Sequence, residues 1–235
     1  MPTFLLKLSG EALGGEAGFG IEPKVLDYLV SEIAQARNAG GRFAIVLGGG
    51  NIFRGQALAE DGLDRVTGDR MGMLATVMNG LALGDYLNRA GIPAKLFSAF
   101  PIPGHVDAYQ RDQAADCLAN DEVVILTGGT GNPFFTTDTA ACLRGIELGV
   151  DAVIKATNVD GVYDADPKQN PSAQKFASIS YDEVLARSLG VMDLTAIVLC
   201  KEQAMPLIVY AAQTPGSLVE IVSGGKVGTQ VTAAT

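Results

Sequence analysis

Short, almost continuously apolar runs alternating with helical segments constrain this chain more than any other feature. TFLLKLS (3–9), RFAIVL (42–47), AKLFSA (94–99), EVVILT (122–127), DAVIKAT (151–157) and PLIVYA (206–211) have strand length and little polar alternation. Strands of that kind are covered on both faces. Between them lie helical patterns. In EPKVLDYLVSEIAQARNAG (22–40), Val25, Leu26, Leu29, Val30 and Ile33 form one stripe, Pro23 suits the first turn, and Gly40 can end it. RMGMLATVMNGLALGDYLNRAG (70–91) reads as a largely buried helix, a short helix falls near 108–119, and DTAACLRGIELG (138–149) follows the fourth strand. SYDE (180–183) is a capping box. The alternation predicts an α/β fold with a mostly parallel sheet, as one large domain or two small ones within 235 residues.

Composition narrows the function. With 48% hydrophobic and 18% charged residues the chain has the makings of a large core. A net charge of -9 argues against nonspecific binding to nucleic acid or to an anionic membrane. An anionic ligand would therefore need local positive charge to hold it. Cys117, Cys142 and Cys200 lie far apart, with no CxxC and one histidine, His105, in a loop-like PIPGHVD. Reduced thiols fit that spacing better than disulfides or a zinc site. The apolar start MPTFLLKLSG is too short for a signal peptide and no run approaches a membrane span, so a cytoplasmic location is expected.

Three glycine-bearing loops follow strands: GEALGGEAGFG (10–20), GGGN (48–51) and GGTGNPFFTT (128–137). In a parallel sheet such loops gather beyond the carboxyl ends of the strands, where ligands sit. Any one of them can be explained as a tight turn. Taken together they favour anion or nucleotide binding by exposed backbone N–H groups. There is no GxxxxGK[ST], no GxGxxG opening a helix, and no HRD/DFG set.

Two lysines are out of place. Lys7 lies at the carboxyl end of one apolar strand and Lys155 at the end of another. A buried cation is costly unless paired, although a strand-end lysine can also extend to solvent. Beside glycine loops, the two look like a clamp on transferring phosphates.

LLKLSGEAL, GGGNIFRG, RMGMLATVMNGLAL, TGNPFFTTDTAACLRG and KATNVDGVYDADP together resemble the bacterial uridylate kinases of the amino acid kinase superfamily, from about residue 3 to the C-terminus. The resemblance implies a single domain over 1–235, a three-layer αβα sandwich, assembled as a homohexamer. It implies transfer of the γ-phosphoryl of ATP to UMP, with Mg2+, under activation by GTP and inhibition by UTP.

Matching motifs carry roles with them. Lys7, Leu8, Ser9 and Gly10 correspond to the ATP-phosphate segment, with Lys7 on the transferring group. Gly49 and Gly50 would offer N–H groups to the phosphates, and Arg54 would bind phosphate oxygens. Asp69, in GDRMGM, matches the residue that holds the UMP ribose. Thr130, Gly131, Asn132, Pro133, Phe134, Phe135, Thr136 and Thr137 match the UMP loop, with Thr137 at a helix N-terminus. Lys155, Thr157, Asn158, Tyr163 and Asp166 match the ATP side, with Tyr163 against adenine. Asp138 resembles a carboxylate that orients the lysines, and Asp193 lies in the VMDLTA motif. GGEAGFG (14–20) matches a segment linked to the GTP effector in part of the family.

Plainer readings stand beside these. Thr137 and Asp138 are expected to cap the following helix, and Asp69 can be read as the N-cap before RMGM. At least one of Phe134 and Phe135 is expected in the core. MGMLATVM suits core or subunit interface. DGVYDADP can be a solvated turn. The rival functions are a noncatalytic nucleotide-binding or storage protein on this fold, and a superfamily kinase acting on a carboxylate or carbamate.

Overall fold

The computed structural model describes residues 1–53, 62–167 and 169–233. Its strands are β1 (Thr3–Leu8), β2 (Arg42–Leu47), β3 (Ala94–Ser98), β4 (Asp107–Ala108), β5 (Val123–Thr127), β6 (Ala152–Thr157), β7 (Ser178–Ser180), β8 (Leu207–Ala211) and β9 (Thr229–Thr232). They form one nine-stranded sheet in the order β4-β3-β5-β2-β1-β6-β8-β9-β7. Every pairing is parallel except β8 with β9. The helices are α1 (Gly10–Leu13), α2 (Pro23–Asn38), α3 (Arg65–Arg89), α4 (Arg111–Ala119), α5 (Thr137–Leu148), α6 (Tyr181–Ala186), α7 (Leu194–Glu202) and α8 (Ser217–Val222).

The period of two along each central strand sorts its side chains into two cores. Phe4, Leu6 and Leu8 of β1 pack with α2, α3 and α8, while Leu5 packs on the opposite face with α4 to α7. On β6, Ile154 joins the first core and Val153 the second. The expected αβα sandwich with a mostly parallel sheet is thus the observed architecture.

The six expected strands and the helix at 23–38 match to within two residues. The long helix does not: α3 begins at Arg65, five residues before the expected start. Asp64 is its N-cap and accepts from Thr67 N at 2.9 Å. Asp69 therefore lies inside the helix and caps nothing. Residues 10–20 are not one loop, because 10–13 turn into α1. Strands β4, β7 and β9 and helices α7 and α8 carry too weak a local pattern to be read from the sequence. In α7, LTAIVLCKE is apolar on nearly every side and lacks a helical stripe. Asp193 starts it as N-cap by accepting from Ala196 N at 2.9 Å. No helix among the described residues is long and apolar enough to cross a membrane.

Candidate active site

Parallel strands put their carboxyl ends, and the loops that follow, on one edge of the sheet. The first two glycine loops meet there backbone to backbone. A Cβ on Gly10 would lie 2.6 Å from Gly50 N, and one on Gly48 would lie 2.6 Å from Gly10 N. Part of the GGGN signal is thus close packing between β1 and β2 turns, which only glycine permits. The turn is also pinned from below. Asn51 and Asn79, both fully buried, exchange side-chain hydrogen bonds at 3.0 and 2.7 Å, and Asn79 donates to the Gly48 carbonyl at 2.7 Å. Asn79 went unnoticed in the sequence, although an amide within TVMNGLAL is a polar residue at a core position.

Lys7 and Lys155 are register partners on β1 and β6. They share parity with Leu5 and Val153, so both point to the face covered by α5. There Asp138, the second residue of α5, lies between them. Lys7 Nζ is 2.8 Å from Oδ1, and Lys155 Nζ donates to Oδ2 at 2.7 Å and to the Val191 carbonyl at 2.6 Å. Burial pushes the Asp138 carboxyl up, but the two ammonium groups outweigh it and hold the carboxyl below its usual range. The lysines are paired and not solvated: Lys7 is buried and the Asp138 side chain is 13% exposed.

The start of α5 is fixed by Thr136, not by Thr137 or Asp138 as expected. Thr136 Oγ1 accepts from Asp138 N at 3.0 Å and Thr139 N at 3.4 Å, and donates to Asp193 Oδ2. Thr139 Oγ1 also donates to Asp193, at 2.9 and 3.0 Å. One carboxylate on the α6–α7 connection therefore sets both the end of the 128–137 loop and the helix bearing Asp138. Val191, two residues earlier, holds Lys155 from the same segment.

Cavities open on both sides of this cluster. One of about 310 Å³ is walled by Lys7, Leu8, Ser9, Lys155, Thr157 and Asn158. A second, about 440 Å³, shares Lys155 and Thr157 and adds Tyr163, Asp166 and Arg187. Tyr163 is held by its hydroxyl, which donates to Asp160 Oδ1 at 2.6 Å, while Lys175 Nζ lies 2.9 Å from Asp160 Oδ2. Those two contacts also lower the Asp160 carboxyl. Gly10 is in neither wall: it follows Ser9 and packs against Gly48 and Gly50.

A third cavity, about 230 Å³, lies across the glycine turn, with Gly49, Gly50, Asp69, Thr130, Asn132, Phe135, Thr136 and Thr137 in its wall. Gly131, Pro133 and Phe134 belong to the same loop but lie outside that wall. The expectation that one phenylalanine enters the core is wrong: Phe134 is 65% and Phe135 48% exposed. Phe134 N donates to Asp69 Oδ2 at 2.7 Å, so that residue turns its backbone toward α3 while its ring stays mostly in solvent. Arg54 lies outside the described residues. His105 sits in an exposed turn, its N–H on the Ile102 carbonyl at 2.9 Å.

Paired lysines between two cavities on a parallel sheet edge invite comparison with known phosphotransferases. The amino acid kinase family model matches residues 2–211. A uridylate kinase of Alcanivorax borkumensis is 59% identical over 98% of this chain and 91% of its own length. One from Pseudomonas aeruginosa is 59% identical over 97% and 93%. The crystal structure of UMP kinase from Bacillus anthracis superposes with a TM-score of 0.96 at 36% identity, covering 100% of this chain and 98% of that one. UMP kinase from Ureaplasma parvum gives 0.91 at 35%, covering 98% of each. Sequence and fold agree across nearly the whole length, and the chain belongs to the amino acid kinase family, among its uridylate kinases.

Proposed function

We infer that this chain transfers the γ-phosphoryl of ATP to UMP, giving ADP and UDP. The observation that carries the reading is the Lys7–Asp138–Lys155 bridge, set among cavities of about 440 and 310 Å³ and a third of about 230 Å³ bearing Asp69. Phosphoryl transfer needs alignment and positive charge more than covalent chemistry. Two ammonium groups on one carboxylate leave the cluster one positive charge in excess, which the transferring group would neutralise. Lys7 and Lys155 then stabilise charge on the equatorial oxygens, and Asp138 keeps the lysines apart and aimed. UMP's phosphate is already ionised, so no general base is required.

In this reading ATP lies along Lys7, Leu8, Ser9, Gly10, Gly50, Thr157, Asn158, Tyr163 and Asp166, with Arg54 on phosphate oxygens. UMP occupies the third cavity, its phosphate toward Gly49 and Thr137 and its ribose on Asp69. Mg2+ enters with the nucleotide as MgATP. Among the described residues no three His, Cys, Asp or Glu side chains converge on a metal site. When bound, the ion would be held chiefly by phosphate oxygens and water, as Mg2+ is in many kinases. GTP activation, UTP inhibition, a homohexamer, a single domain over 1–235 and a cytoplasmic location complete the proposal.

The test is a panel of nucleoside monophosphates incubated with MgATP and scored by ADP release. UMP is expected to turn over far faster than the others. Turnover of a carboxylate substrate without turnover of UMP would overturn the reading.

A further inference from the structure

Two side chains of α3 hold the loop over the third cavity: Thr76 Oγ1 accepts from Gly128 N at its start, at 2.8 Å, and Asp69 accepts farther along. Phe134 donates its N–H to Asp69 from 65 positions away in sequence. Its φ is 72°, a region that bulky side chains avoid, and its ring is mostly in solvent. A phenylalanine that is neither buried nor relaxed keeps such a backbone only where surrounding contacts impose it.

One helical turn before Asp69, Arg65 supplies a second contact. Its Nε donates to both Asp69 oxygens, at 2.9 and 3.0 Å. Its guanidinium carbon lies 5.7 Å from the centre of the Phe134 ring, and the residue also lines the cavity. Arg65 thus touches the carboxylate and the loop that the carboxylate holds. The uneventful reading is a helix-surface ion pair at i,i+4, since the Arg65 side chain is 52% exposed and such pairs contribute little. That reading accounts for the Asp69 contact but not for the guanidinium over the Phe134 ring.

We propose that Arg65 is a positioning residue for the acceptor nucleotide. It fixes the Asp69 carboxylate in the orientation that receives the ribose hydroxyls, and it covers the Phe134 ring so that the loop stays closed on the cavity. Nε shares one proton between the two oxygens, so the carboxylate keeps acceptor capacity for hydroxyl donors. The proposal rests on the uridylate-kinase reading above.

Steady-state kinetics of wild type, Arg65→Gln and Arg65→Lys, with UMP and dUMP as acceptors, tests it. Arg65→Gln is expected to raise KM for UMP about tenfold, keep kcat within about threefold and narrow the preference for UMP over dUMP. KM for ATP should hold in the same variant. Lysine keeps the charge but lacks the planar Nε donor and the stacking face, so Arg65→Lys should resemble Gln. Full recovery with lysine would reduce the role to charge and overturn the proposal. Unchanged KM in both variants, with normal turnover of UMP by wild type, would overturn it while leaving the kinase reading intact. A wild-type chain without UMP turnover would remove both.

Discussion

Lys7 and Lys155 are register partners on adjacent parallel strands, and their ammonium groups close on opposite oxygens of one carboxylate, Asp138, at 2.8 and 2.7 Å. Two like charges on neighbouring strands would repel without it. With it, the cluster has one unit of positive charge in a chain whose net charge is -9. An anion bound here would therefore be held by local charge.

The first prediction removes part of that charge. Lys7→Ala should lower kcat more than it raises KM for UMP, because the role proposed for Lys7 is on charge that develops during transfer. A loss of roughly 100-fold in kcat is expected by comparison with other electrostatic stabilisers. A folded variant with near-normal kcat would take Lys7 out of the mechanism.

Asp138→Asn tests the other half of the bridge. Removing the carboxylate charge leaves the buried Lys7 and the half-buried Lys155 without a counter-charge, a change that typically costs about 3 kcal/mol or more. The variant should melt well below wild type at neutral pH and recover part of the difference in MgATP, whose phosphates replace the lost charge. Acid works through the same group. Its folded pKa lies below the ordinary 3.8, so its contribution is complete above that value and is lost as pH falls through the lower, folded one. Wild type should therefore lose its advantage over Asp138→Asn as pH drops below about 4, read by thermal melts across pH. A constant gap down to pH 2 would separate the bridge from stability.

Assembly follows from α3. Met71, Leu74, Met78 and Leu81 are 42–54% exposed at spacings of three and four residues, an apolar stripe on the outer face of the helix. Light scattering is expected to give a hexamer, and Leu74→Glu with Met78→Glu a smaller species. A monomer mass for wild type at micromolar concentration would contradict the proposed hexamer.

How much of this was legible in sequence depends on how local each signal is. The central strands were, because burial on both faces writes an unbroken apolar run; so were Lys7 and Lys155, as cations where such runs allow none. Asp138 was reached only through resemblance, since nothing in TTDTAA tells a cap from a bridge. The structure makes it the bridge and Thr136 the cap. Arg65 could have been suspected from its i,i+4 spacing to Asp69, but its contact with Phe134 joins elements far apart in the chain. The edge strand β7 and its neighbour β9, three and four residues long, carry too few positions for any period to show.

The last prediction concerns the sugar. Asp69 is not a helix cap, because α3 starts at Arg65 with Asp64 as its N-cap. Its carboxylate instead receives Arg65 Nε and the Phe134 N–H at the edge of the third cavity. If those contacts were its whole purpose, Asp69→Asn would loosen the loop and weaken UMP and dUMP alike. If Asp69 also holds the ribose, wild type should discriminate against dUMP, whose missing hydroxyl leaves a charged acceptor short of a partner at a cost of about 1–3 kcal/mol. Asn offers one carbonyl acceptor in place of two carboxylate oxygens and turns an NH2 toward a hydroxyl. Asp69→Asn should then lower kcat/KM for UMP more than for dUMP, and narrow the ratio between them about tenfold. Measuring kcat/KM for both nucleotides with both proteins decides between the two. An unchanged ratio would confine Asp69 to mooring the loop.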